Sequence, residues 1–118
     1  MNPLIKLLLS ITLLFSSAIT YAEEINLDHL YGVWNIDKMV MRNGSSFPGT
    51  GDKLEFTKEG MLKTIMGSST ISNDFRLERA SVFVKVPIGE AEHRINSLSS
   101  KKMLFQLPDG MVYELSKP

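Results

Sequence analysis

From Gly32 onward the chain breaks into eight short β-prone runs, and no interval between them is long enough for a crossover helix. The runs cover residues 33–41, 52–56, 61–66, 74–78, 81–86, 91–98, 103–107 and 111–115. "DKLEF" and "DFRLE" alternate strictly, so Leu54 and Phe56 share one face, as do Phe75 and Leu77, with charged residues opposite. "SVFVKV" is the most β-prone run, with Val82, Val84 and Val86 on one face. Turn chemistry separates the runs: "RNGSSFPGTG", "TKEG", "GSSTISN", "PIG", "SSKK" and "PDG". Connections this short make neighbouring strands antiparallel. A meander of eight such strands has two exposed edges, and closure into a barrel removes both. The expected fold is therefore all-β, an eight-stranded antiparallel up-and-down barrel.

The expected inward set is Trp34, Ile36, Leu54, Phe56, Leu62, Phe75, Leu77, Val82, Val84, Ile95, Met103, Phe105, Met111, Tyr113 and Leu115. In the first strand Val33 and Met39 compete with Trp34 and Ile36 for the inward face. Before Gly32 one short helix is expected at residues 26–30, with Asn26 as its cap and Asp28 at its positive end.

The first 22 residues read as a cleaved signal peptide, leaving residues 23–118 as one barrel domain. One charge (Lys6) precedes an apolar stretch at residues 7–15, and Thr20 and Ala22 stand at the −3 and −1 positions of a cleavage site. Lys6 and Ser10, Ser16 and Ser17 break the run that a membrane span of about 20 apolar residues needs. No cysteine follows that could carry a lipid anchor. The expected location is outside the cytoplasm, periplasmic or secreted, with no membrane span after cleavage.

Removing Lys6 leaves 12 basic against 13 acidic side chains, which gives no electrostatic reason to bind nucleic acid or anionic lipid. The absence of cysteine removes disulfides, thiol nucleophiles and thiolate metal sites. His29 and His93 lie in different elements and lack a third ligand, so no metal site and no cofactor is expected. The serines sit in loops without a G-x-S-x-G elbow, there is no phosphate loop, and Glu90 and Glu92 read as solvated turn charges. Enzyme activity is not expected.

Gly32-Val33-Trp34 resembles the glycine-any-tryptophan signature at the first strand of lipocalins. The chain is similar to short secreted bacterial lipocalin-like domains through Leu30/Gly32/Trp34, Leu54-Glu55-Phe56 through Gly60, Ile95/Leu98 and Tyr113/Leu115. The resemblance implies a helical plug at residues 26–31 closing one barrel end, Trp34 packed across it, and a basic residue over the tryptophan. Lys117 is the nearest candidate for that residue. The resemblance also implies a binding site at the open end.

Candidate ligand-binding residues are Phe47, an aromatic in the loop joining the first two strands, and Met39, Met41, Met66 and Ile71. Met39 and Met41 stand at i and i+2 and so share a strand face. Thioethers fill irregular apolar space, line adaptable sites, or bind Cu(I) as soft ligands; the first two uses are the expected ones. The chain thus reads as a non-enzymatic binding protein for a small apolar or amphipathic ligand. The alternative is a protein-interaction domain whose barrel is filled by its own side chains.

Overall fold

The computed structural model describes residues 25–118; the signal-peptide expectation for residues 1–22 lies outside the described residues. The strands are β1 (Gly32–Val40), β2 (Ser46–Pro48), β3 (Lys53–Phe56), β4 (Met61–Met66), β5 (Ser69–Glu78), β6 (Ser81–Lys85), β7 (Glu90–Leu98), β8 (Lys102–Gln106) and β9 (Val112–Ser116). From β3 to β9 each pairs antiparallel with the next, β1 pairs with β3, and β9 returns to β1. That last pairing closes the sheet. β2 and β3 lie along the same edge of β1, β2 opposite residues 38–40 and β3 opposite residues 32–35, so together they form one stave. The barrel is eight-stranded and up-and-down.

The N-terminal 3₁₀ turn (Leu27–His29), the connections β3–β4, β5–β6 and β7–β8, and the C-terminus mark the lower end. The connections β1–β2, β4–β5, β6–β7 and β8–β9 mark the upper end. The core consists of Leu30, Trp34, Ile36, Leu54, Phe56, Leu62, Val82, Val84, Ile95, Met103, Phe105 and Leu115, and no polar or charged residue is buried among the described residues. Phe75, Leu77 and Tyr113 lie partly buried against it.

Two bulges set which residues face inward. At Asp37 the register slips by one residue, so Ile36 opposes Leu115 while Met39 opposes Tyr113. Trp34, Ile36 and Met39 therefore all face inward, and the competition between two phases in the first strand ends with both satisfied in succession. A second slip at Asn96 likewise places Leu98 on the face of Ile95.

Two stretches expected as loops are partly strand. "RNGSSFPGTG" contains β2, which leaves Phe47 in a strand opposite Met39. "GSSTISN" shrinks to the turn Gly67-Ser68, because β5 begins at Ser69 and runs for ten residues. The cross-strand ladder with β4, Met66 to Ser69 and Thr64 to Ile71, supplies the pairing that the local polar sequence does not announce.

Candidate functional site

At the lower end, hydrogen bonds link the 3₁₀ turn and the residues after it to Trp34 and Lys117. Asn26 caps the 3₁₀ turn by accepting the Asp28 N–H at 3.0 Å. Trp34, wholly buried, donates its indole N–H to the carbonyl of Leu30 at 2.8 Å. Lys117 places its ammonium 4.8 Å from the Trp34 ring centroid and donates to the carbonyls of His29 (2.7 Å) and Tyr31 (2.9 Å). These carbonyls stand where the turn ends, and among the described residues Lys117 is the partner shown for each. Gly32 is needed for its backbone: its φ is +122°, which L side chains rarely adopt, whereas a Cβ there would meet the Lys117 stem only at an ordinary contact distance of 3.6 Å. Burial, with the nearby Lys101 charge, lowers the Lys117 pKa.

Midway up, aromatic rings fill the barrel. Phe56 meets Phe75 and Phe105 edge-on at 5.6 and 5.5 Å, and His93 stacks on Phe105 at 5.2 Å. His93 is inward because it opposes Val82, which is fully buried. Burial pushes its pKa below the ordinary value of 6.5, opposed in part by the Ala91 carbonyl and the Asp109 charge. The unfolded chain therefore takes up a proton that the folded barrel resists. Stability from this residue is complete above pH 6.5 and is lost as pH falls from there through the folded value. Urea midpoints should begin to fall between about pH 6.5 and 5, before most carboxylates titrate. The His93→Gln variant should flatten that segment of the profile; an unchanged slope would contradict the assignment.

Above this layer the inward positions stop being buried. Met39 opposes Phe47 on one side and Tyr113 on the other, and Tyr113 opposes Phe105, so all four share the inward face. Thr64 opposes buried Leu54 and also Ile71, which places Ile71, and Met66 two residues beyond Thr64, on the inward face as well. Yet Phe47 and Ile71 are each 52% exposed and Met66 is 39% exposed. The upper end thus carries uncovered apolar side chains on its inward face above the aromatic layer, and these positions are what we call the bowl. Tyr113, at its wall, has its pKa raised by burial and by the charges of Asp109 and Asp52.

Of the five candidate ligand residues, the register brings Phe47, Met39, Met66 and Ile71 to this bowl. Met41 lies at the rim, in a recess of about 230 Å³ shared with Arg42, Asn43, Asp109 and Met111. The remaining methionines are elsewhere: Met103 is buried in the core, and Met61 lines a recess outside the barrel beside Tyr31 and Thr57. Sequence reasoning missed His93, Thr64 and Asn73 as inward groups. Their polarity hides them from a hydrophobic pattern; only the phase of Val82 and Leu54 across the ladder reveals them. Glu90 and Glu92 are engaged on the outer face, Glu90 by Arg76 at 2.9 Å and Glu92 by the Ser81 hydroxyl at 2.6 Å.

The chain matches no protein-family model and no curated protein. Two solved structures share its architecture. A lipocalin-like protein from Bacteroides uniformis superposes with a TM-score of 0.66 at 15% identity, covering 76% of this chain and 99% of that one. An uncharacterised protein from Bacteroides eggerthii superposes with a TM-score of 0.63 at 14% identity, covering 75% and 98%. With β1 and β9 paired and eight staves in meander order, the chain has the fold of a lipocalin-like barrel.

Proposed function

We propose that the protein is an exported, non-enzymatic binding protein that holds a small apolar or amphipathic molecule in the bowl at the upper end of the barrel. The observation that carries this reading is the exposure of Phe47, Met66 and Ile71 although all three point to the inside. Large apolar side chains on an inward face are normally covered, and leaving them wet forfeits about 25 cal/mol for each Å² of apolar area. A ligand that covers them recovers that free energy. In this reading the 3₁₀ turn, Trp34 and Lys117 form the plug at the opposite end, and residues 1–22 are removed on export.

The experiment uses protein purified from its export compartment. Its intact mass should begin at Glu23; a mass retaining Met1 ends the export reading. The same sample is titrated with N-phenyl-1-naphthylamine, an uncharged dye that brightens in apolar surroundings. The double variant Phe47→Ser/Ile71→Ser should weaken the dye about thirtyfold, since each residue contributes on the order of 1 kcal/mol of apolar contact. Leu104→Ser, on an exposed residue outside the bowl, should leave it unchanged. Equal affinities in all three proteins would remove the bowl as the site.

A second reading has its own observation. Ile88, at the tip of the β6–β7 turn, is 93% exposed at the same end of the barrel and lies beyond the bowl. A protein partner covering the whole upper end would bury Ile88 together with Phe47 and Ile71. Pull-down of a defined partner that Ile88→Ser abolishes, with dye binding intact, would favour this reading.

A further inference from the structure

We infer that the bowl selects amphiphiles with an uncharged, hydrogen-bonding head group and discriminates against carboxylates such as fatty acids. This rests on the reading of the bowl as a ligand site. Within the strands, the inward positions of the upper end, fixed by the ladders from Leu54, Val82 and Phe105, contain no lysine, arginine, aspartate or glutamate; just before β3, Asp52 holds the inward phase, two residues from Leu54, with its carbonyl accepting the Ile36 N–H at 3.2 Å. What these strand positions contain besides apolar groups is neutral: the Tyr113 phenol, the His93 imidazole, the Thr64 and Ser69 hydroxyls and the Asn73 amide.

These groups can take part in a ligand's hydrogen bonds. Among the described residues only Nδ1 of His93 has a protein partner, the Ala91 carbonyl at 3.2 Å, which leaves Nε2 for a ligand. Asn73 spends one donor on the Lys85 carbonyl at 3.2 Å and retains its amide oxygen.

The charges that reach the bowl from its rim are mainly negative. Asp52, on the link between β2 and β3, and Asp109, in the β8–β9 turn, both act on Tyr113, and Asp109 also acts on His93. Asp109 is fixed in place, since its carboxylate accepts the Met111 N–H at 2.9 Å. Neither aspartate has an ion-pair partner within 4.0 Å among the described residues, where both ion pairs belong to Arg76 on the outer face. Lys38, Lys53 and Lys85, near the same end, alternate onto the outer face of their strands, and Arg42 stands at the rim. Its stem lies over Gly110, 2.7 Å from where a Cβ would stand, and it shares its recess with Asp109, which offsets it locally. A carboxylate head in the bowl would lose water without gaining a cation and would face Asp52 unopposed. An alcohol or amide head bears neither cost and can bond to Tyr113 and His93.

The test is displacement of N-phenyl-1-naphthylamine by decan-1-ol and by decanoate at pH 8, where decanoate is ionised and the chains are identical. Decan-1-ol should bind about tenfold more tightly. In Asp52→Asn/Asp109→Asn the gap should narrow at least threefold while the decan-1-ol affinity holds. A ratio below threefold in the parent protein, or a gap unchanged in the double variant, overturns the charge selection and leaves the bowl as a site. Failure of both compounds and of the dye to bind overturns the bowl itself.

Discussion

Replacing Trp34 with alanine should remove most of the barrel's stability. The indole is completely buried, and it joins three parts of the lower end: the core, the Leu30 carbonyl that accepts its N–H, and the Lys117 ammonium above its ring. Truncating a buried tryptophan costs about 3–5 kcal/mol. Leaving the Leu30 carbonyl without its donor adds on the order of 1 kcal/mol. Domains of this size have about 5–15 kcal/mol in total. Urea titration followed by far-UV circular dichroism should show either an unfolded chain or a midpoint lowered by more than half. Trp34→Phe keeps most of the apolar volume and loses the hydrogen bond, so it should fall between the two. A loss below about 1 kcal/mol in Trp34→Ala would mean that the lower end is not organised around this ring.

The second large effect is expected at Gly49, where the reason is space rather than backbone conformation. A Cβ there would overlap the Ile36 carbonyl oxygen and lie 2.8 Å from its carbon. The Gly49 N–H donates to the Asp37 carbonyl at 2.9 Å, drawing the chain against the bulge in β1. This contact ties the link between β2 and β3 to β1, next to the pairing that holds Phe47 opposite Met39. Since the obstacle is backbone, Gly49→Ala must push β2 away from β1, at a cost of about 2–3 kcal/mol. Hydrogen exchange should show lost protection at Met39 and Phe47 while Phe56 and Leu62 stay protected. Unchanged exchange at Met39 would show that β2 tolerates a side chain at that point.

The barrel was legible wherever burial on one face forces alternation. Leu54 and Phe56, Phe75 and Leu77, and Val82 and Val84 could each be assigned a face from their spacing, and the short turns then required a meander. β2 was hidden because its three residues are Ser46, Phe47 and Pro48, with Gly49 next, and serine, proline and glycine locally favour a turn. The first half of β5 was hidden for a related reason: its inward residues are Ser69, Ile71 and Asn73, at the wet end of the barrel, where no core imposes a pattern. The same physics explains the bowl. Phe47, Met66 and Ile71 could be singled out as unusual residues in polar surroundings, but their convergence depends on the register of four strands and on the bulge at Asp37. A bulge adds one residue and reverses every facing beyond it, and short-range spacing does not reveal where it falls.

Methionine methyl groups are distributed so that they can report directly on the bowl. Met39 and Met66 lie on its walls and Met41 at its rim, whereas Met103 is in the core and Met61 is on the outside. The decisive measurement is a methyl-resolved NMR titration of methionine-labelled protein with decan-1-ol. If the bowl is the binding site, Met39 and Met66 shift together and saturate with one affinity while Met61 and Met103 remain still. Shifts led by Met61, or none at Met39 and Met66 under saturating ligand, would contradict binding at the open end of the barrel.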